Sequence, residues 1–278
     1  MSPSATHRNE VFDGNRAVGR IALAVENAFG ATRRRRVHEA GSLRMRFPNQ
    51  ERPDRLEAVI LNTAGGMTGG DRFGIDVTVG KGAALTVTTA AAEKIYRSLG
   101  PDTEIAVRLD VGAGGMLAWL PQETIAFNDV RLRRTMDVNL ESGAHLLLAE
   151  AVFFGRAAMG ETVLNGRVSD RWRVKADGKL VFAETLHIEG AIAQALARRA
   201  VSAGAVAIAT VLKIPGGDAD VEAVRALADN FRGEVGISAW NGHAVVRLVA
   251  SGGDILRHDL MAVLQALNLA PLPRLWLN

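Results

Sequence analysis

Two glutamates stand where strand periodicity leaves little room for a charge. In Leu146-Leu147-Leu148-Ala149-Glu150-Ala151-Val152-Phe153-Phe154 the alternation puts Glu150 on the face of Leu146, Leu148, Val152 and Phe154. In Leu180-Val181-Phe182-Ala183-Glu184-Thr185-Leu186 it puts Glu184 with Leu180, Phe182 and Leu186. An ionised carboxylate in apolar surroundings is costly unless it is ion-paired, hydrated or bound to metal, so each demands a partner. A structural ion pair with arginine is one answer. A water-filled internal passage used by a divalent cation is another, because carboxylate oxygens handle a borderline cation transiently where thiolates would hold it tightly. A third is the acid and nucleophile, or base, of a carbohydrate-active enzyme, which needs both carboxyls in an open cleft, about 5–9.5 Å apart, beside sugar-stacking aromatics. Aromatic residues make up only 5% of the chain, which leaves little for such a groove.

The other reactive residue types narrow the choice. Asn62-Thr63-Ala64-Gly65-Gly66-Met67-Thr68-Gly69-Gly70-Asp71 is the densest glycine cluster. A phosphate-binding loop needs Gly-Lys-Ser/Thr opening a helix. Here Asp71 stands in place of the lysine, a strand pattern follows, and the carboxylate would repel phosphate. The segment reads as a tight double turn in which Asp71 accepts amide hydrogen bonds. The histidines at 7, 38, 145, 187, 243 and 258 form no His-x-His or His-x-x-x-His pair, so no preformed tight metal site is expected. Alternation puts His187 and Glu184 on opposite faces. The absence of cysteine removes disulfides, thiolate zinc sites, iron–sulfur clusters and thiol nucleophiles together. No Gly-x-Ser-x-Gly elbow is present. Glu93-Lys94-Ile95-Tyr96-Arg97-Ser98 reads as a solvated turn with an aromatic anchor.

The elements that would position these residues are strands. Ile75, Val77 and Val79 alternate with polar residues and lead through Gly82-Ala83 into Leu85 to Thr89. The template returns at Ile105, Val107, Leu109 and Gly112-Ala113, and again at Met136, Val138, Leu140 and Gly143-Ala144. Each unit resembles a β-hairpin coil stacked on the next. A degenerate fourth unit turns at Asp177-Gly178, and Asn241-Gly242 between Ile237–Trp240 and His243–Val249 predicts a second two-residue hairpin. Gly19–Val25, Ser42–Phe47 and Leu56–Leu61 read as further strands. Helix signals come late: Asp218 or Asp220 can cap Val221, Val224, Leu227 and Phe231, and Asp259 can start Leu260, Val263, Leu264 and Leu267 before Pro271. Residues 190–205 are ambiguous between helix and loop. The expected architecture is mainly β, a β-helical, solenoid-like stack of strand-turn-strand units with two C-terminal α-helices. A single domain over residues 1–278 is expected, with 1–14 flexible.

Composition agrees with a soluble globular chain: 33 basic against 30 acidic residues and 48% hydrophobic. Arg33 to Arg36 form the only dense basic run, which a surface strand explains without nucleic acid, since no nucleic-acid-binding motif accompanies it. The polar start lacks the apolar core of a signal peptide, and the apolar runs are shorter than a bilayer span. No membrane association and a cytoplasmic location are expected.

Gly65-Gly66-Met67-Thr68-Gly69-Gly70-Asp71, Leu85-Thr86-Val87-Thr88-Thr89 and Lys94-Ile95-Tyr96-Arg97-Ser98 together resemble the urease accessory protein UreD, or UreH, family. The likeness continues through Trp119-Leu120-Pro121-Gln122-Glu123-Thr124-Ile125, Phe153-Phe154-Gly155-Arg156 and Leu272-Pro273-Arg274-Leu275-Trp276. It implies a β-helical scaffold without catalytic residues that joins UreF and UreG on apo-urease in a heteromeric complex. GTP hydrolysis would belong to UreG. It also implies nickel in transit with no tightly bound cofactor, and by position Asp71, Glu150 and Glu184 match acidic residues associated with that route. The family commonly has His-Pro-Pro where this chain has Asn62-Thr63-Ala64, and a small residue where it has Glu93. Losing the histidine argues against a tight nickel ligand at the turn. A pure protein-binding module in which all three acids are ion-paired is the reading without a metal route.

Overall fold

The computed structural model describes residues 15–49, 52–98, 100–156, 159–267 and 269–277. Residues 1–14, expected to be flexible, lie outside the described residues. The chain opens with β1 (Val18–Ala28), β2 (Ala31–Gly41), β3 (Leu43–Arg46) and β4 (Leu56–Asn62). It then alternates between two facing sheets. In one, β5 (Arg72–Val79), β8 (Thr103–Val111), β11 (Val130–Leu140) and β13 (Gly166–Ala176) run parallel. In the other, β4 is followed by β6 (Ala84–Thr89), β9 (Met116–Trp119) and β12 (His145–Phe154), also parallel. The short β7 (Glu93–Ile95) and β10 (Thr124–Ala126) extend the stack beside β12. The coils expected from the repeat are present.

The repeat is not a stack of hairpins, however. The two strands of each unit lie in different sheets, so the glycine turn is a corner, and pairing occurs only between successive coils. Its true offset also differs from the glycine spacing. Val79 pairs with Val111 and Val111 with Leu140, steps of 32 and 29 residues, so the left-handed corner glycines that correspond are Gly82, Gly114 and Gly143. Gly112 instead corresponds to Gly80, where a side chain would meet the backbone of the coil below. Strand alternation sees the face of a residue but not the length of the corner that follows it.

The stack ends in antiparallel ribbons. β14 (Lys179–Gly190) folds back on β13 through Asp177-Gly178, and β15 (Ala207–Ile214), β16 (Glu234–Trp240) and β17 (His243–Ala250) extend the second sheet beyond β12. Asp177-Gly178 and Asn241-Gly242 both adopt positive φ, as their hairpins require. At the opposite edge of the first sheet, β2 carries Arg33 to Arg36 in the open, where guanidinium groups also discourage edge-to-edge pairing.

Residues on the facing sides of the two sheets form the main core, including Leu23, Val77, Leu109, Val138, Leu148 and Val174. β12 is buried on both faces: Leu147, Ala149 and Ala151 turn the other way and belong to a second core that also takes in Leu260, Val263 and Leu264 of the helix Gly253–Leu267. That helix begins six residues before the Asp259 start expected from sequence. Asp259 is instead inside it and buried, accepting hydrogen bonds from the backbone amides of Arg232 and Gly233. The helix Asp218–Arg225 starts after Gly217, with Asp220 accepting from the Gly217 amide. The ambiguous alanine-rich stretch supplies a third, short helix, Ile192–Ala197. Among the described residues no helix is long and apolar enough to cross a membrane.

Candidate functional site

Glu150 points into the space between the sheets, as its alternation demands, and meets a guanidinium there. Arg134 of β11 donates from Nη1 to Glu150 and from Nη2 to Asp170 of β13 at 2.5 Å, with all three side chains buried. Trp119 Nε1 donates to the other Glu150 oxygen at 2.9 Å. Burial pushes the Glu150 carboxyl above its usual range, and the negative charge of Asp170 adds to this while Arg134 opposes it. For Arg134 burial works toward the neutral form, but the charges of Asp170 and Glu150 outweigh it and raise its pKa. One buried cation therefore faces two buried anions. Among the described residues, Arg134 Nε and Asp170 Oδ1 have no hydrogen-bond partner.

Glu184 reaches the same place from β14. It is half-buried and ion-paired with Arg247 of β17 at 2.6 Å, and Arg247 also donates to Thr210. Beyond a register shift in β13–β14, Leu180 lies exposed instead of sharing the buried face expected of it. Arg134, Glu150, Asp170, Trp172, Glu184 and Thr210 line one cavity of about 30 Å³, room for a water molecule but not for a sugar ring. The carbohydrate-active reading fails on this point, since its two carboxyls need an open cleft. Larger concavities of about 600–690 Å³ open on the outer sheet face, where Asp76 and Glu104 are each ion-paired with arginines, and beside Pro271 to Leu275.

Asp71 is elsewhere, immediately before β5. Its Oδ1 accepts from the Ala17 amide and its Oδ2 from the Thr68 amide, both at 2.8 Å, which ties the glycine turn to the start of β1. This is the amide-accepting turn expected of it. Near it, Glu93 accepts from Asn62 Nδ2 at 3.0 and 3.1 Å. Asn62 and Glu93, the two places where the resemblance noted above is imperfect, thus contact one another. Residues 93–95 are a strand and not the solvated turn expected from their polarity; only Tyr96 is an anchor as expected, its hydroxyl donating to Gly65 O.

Burial pushes the Glu93 carboxyl up to about 7, with the Asp71 charge adding to it against the Asn62 hydrogen bond. A carboxyl whose folded pKa is raised binds protons more tightly when folded. Its contribution to stability is full below about pH 4.5 and is lost as pH rises to about 7. Glu93→Gln is expected to flatten this fall and to gain on the order of 2 kcal/mol at pH 8, after discounting for partial solvent contact. Urea denaturation of both proteins from pH 4.5 to 8 checks it, and parallel curves would refute it.

The two regions are joined by a polar row. Glu93, Thr124 and Val152 are register partners on adjacent parallel strands, and Thr124 Oγ1 accepts from Arg134 Nη1 at 3.4 Å. Polar side chains thus run from Asn62 and Glu93 through Thr124 to the Arg134 cluster and on to Glu184. Sequence reading found Glu150 and Glu184 but missed Arg134 and Asp170, although the same alternation exposes them: Leu132-Arg134-Met136 and Val168-Asp170-Trp172 are inward rows. Among the described residues no group of three acidic or histidine side chains is close enough to hold a metal ion.

Comparison with known proteins places this geometry in a family. Residues 17–277 match the family described as UreD urease accessory protein. The chain is 55% identical over 268 residues to the urease accessory protein UreD of Rhodopseudomonas palustris strain HaA2, covering 96% of each. It is 51% identical over 278 residues to that of strain BisB18, covering 100% of each, and 51% identical over 270 residues to that of Bradyrhizobium diazoefficiens, covering 97% of each. A match of this length and identity, over a solenoid with an internal polar row, means that the chain belongs to the UreD urease accessory protein family.

Proposed function

We propose that this protein is a non-enzymatic urease maturation scaffold that docks UreF and UreG on apo-urease and assists nickel transfer toward the urease active site. Family membership supports the maturation role. The observation that carries the nickel route is the polar row between two apolar sheets, ending in a cavity lined by Glu150 and Glu184. A scaffold that only bridged partners would bury such charges without gain, since apolar packing is at least as stable. Glu150 and Glu184 line the route as weak oxygen ligands or as polar wall that keeps water in it. Asp71 lies at the Glu93 end and contributes charge there. GTP hydrolysis belongs to UreG, and the assembly works in the cytoplasm.

The test is urease activation in cells whose urease operon lacks this gene, restored with wild type or with Glu184→Leu. Glu184 pairs with a half-exposed arginine, so its loss strands no buried charge and UreF capture in a pull-down should persist. Activation is expected to fall about tenfold, the size of effect typical of groups that tune metal handling. Full activation by Glu184→Leu would remove this residue from the route, and failure of wild type to rescue would reject the maturation role.

A further inference from the structure

A basic groove lies on the outer surface and shares no lining residue with the cavity at Arg134. Two open hollows of about 690 and 420 Å³ meet at Pro48, Asn49 and Leu56, which line both. Pro271, Leu272 and Leu275 form an apolar wall. That wall is fixed from behind: the Leu275 carbonyl accepts from Gln122 Nε2 at 3.2 Å and from Arg257 Nη2 at 3.3 Å, and Trp276 Nε1 donates to Leu120 O at 3.0 Å. The segment 52–56 is held as well, because buried Thr32 donates its amide to Pro53 O and its hydroxyl to Asp54 O. Neither side has to be ordered when a ligand arrives, which removes a cost of binding.

Arg33, Arg34, Arg52, Arg55 and Arg274 line the two hollows, against one acidic lining residue, Glu57. Allowing also for Asp54, which pairs with Arg52 at 2.8 Å, the groove keeps three positive charges in excess among the described residues. Arg55 Nε is buried and has no hydrogen-bond partner among the described residues. Guanidiniums around proline and leucine side chains favour a chain that carries carboxylates and an apolar side chain together. Nucleic acid fits less well, since Glu57 would face its phosphates and the one ring among the lining residues, Phe47, is already stacked by Arg34 at 4.6 Å.

We infer that this groove is a docking site for an extended acidic segment of a protein partner, its carboxylates on the arginines and an apolar side chain against Pro271, Leu272 and Leu275. The chemistry of the segment follows from this chain's own charges; that the partner is a member of the urease assembly rests on the maturation role proposed above.

Fluorescence anisotropy of a labelled synthetic peptide of repeated Asp-Glu-Leu, added to the purified full-length chain, tests the groove without urease. Arg33→Glu/Arg52→Glu, both exposed positions, is expected to bind the peptide at least about tenfold more weakly than wild type. Arg33→Lys/Arg52→Lys should lose less, because lysine keeps the charge but not the forked donors. A peptide with serine for leucine should bind more weakly to wild type. Equal binding by wild type and the double glutamate variant overturns the docking site. An oligothymidylate that binds wild type more tightly than the peptide, and is lost in the same variant, overturns its acidic occupant. In cells lacking this gene, the double glutamate variant is expected to restore urease at least about fivefold less well than wild type. Full restoration by a variant that has lost the peptide overturns the assignment to the urease assembly. If wild type fails to restore urease while the peptide still binds through these arginines, the groove stands and the maturation role falls.

Discussion

Arg134→Met is expected to lower folding stability by about 3–5 kcal/mol at pH 8, because it leaves Glu150 and Asp170 as uncompensated charges in a closed core. Methionine fills most of the volume of the arginine stem, so the loss measures charge more than packing. The sign of its pH dependence follows from the same cause. Burial already raises the Glu150 carboxyl above its unfolded value, and Arg134, which opposes this, is gone in the variant. The proton is then bound more tightly by the folded chain, so the deficit is largest at high pH and shrinks as pH falls through the raised values. Chemical denaturation at pH 5 and pH 8 should show the variant much closer to wild type at the lower pH. The triple variant Arg134→Met/Glu150→Gln/Asp170→Asn should recover most of the loss at pH 8, since no ion remains to be paired. A deficit equal at both pH values would mean that Arg134 matters for shape and not for charge.

Gly66→Ala carries the second large effect, about 2–5 kcal/mol, from backbone strain and overlap together. Gly66 has φ +144, a region essentially closed to side chains, and a Cβ there would overlap the Tyr96 ring and lie 3.0 Å from Lys94 O. The neighbouring backbone cannot yield easily, because Met67 donates to Lys94 O at 2.7 Å and Tyr96 donates to Met67 O at 2.8 Å. The ring is equally committed. It stands 4.8 Å from Phe127, which in turn carries Arg156 over its face at 4.5 Å, a ladder that links three successive coils. Tyr96 is the only tyrosine, so its displacement is readable in the near-ultraviolet circular dichroism of the variant. Gly66→Ala/Tyr96→Ala should regain the overlap part relative to Tyr96→Ala and keep the backbone part. A Gly66→Ala chain within about 0.5 kcal/mol of wild type, with an unaltered tyrosine signal, would refute the account.

This ladder also explains why Gly65-Gly66, Tyr96 and Phe153-Phe154-Gly155-Arg156 are legible as one motif although they are far apart in the chain. They are corners of neighbouring coils, stacked by register. The glycine cluster that invites a phosphate-loop reading is a seat for an aromatic ring, and Asp71 fastens that seat to Ala17 and Thr68.

What the amino-acid order determined by itself is the direction of each side chain. Alternation placed Glu150 and Glu184 inside and would have placed Arg134 and Asp170 there as well, because in a strand the face of a residue is set by local covalent geometry. The Asp177-Gly178 and Asn241-Gly242 turns were legible for the same reason, since positive φ is a property of the residue itself. Which inward charges meet was decided only by tertiary structure. Arg134, Glu150, Asp170 and Glu184 come from four strands in two sheets, and their encounter depends on coil register, which is set by corner lengths that make successive steps 32 and 29 residues rather than a fixed repeat. The early start of the helix Gly253–Leu267 was decided there too, because Asp259 gains more by accepting the Arg232 and Gly233 amides in the core than by capping a helix in water.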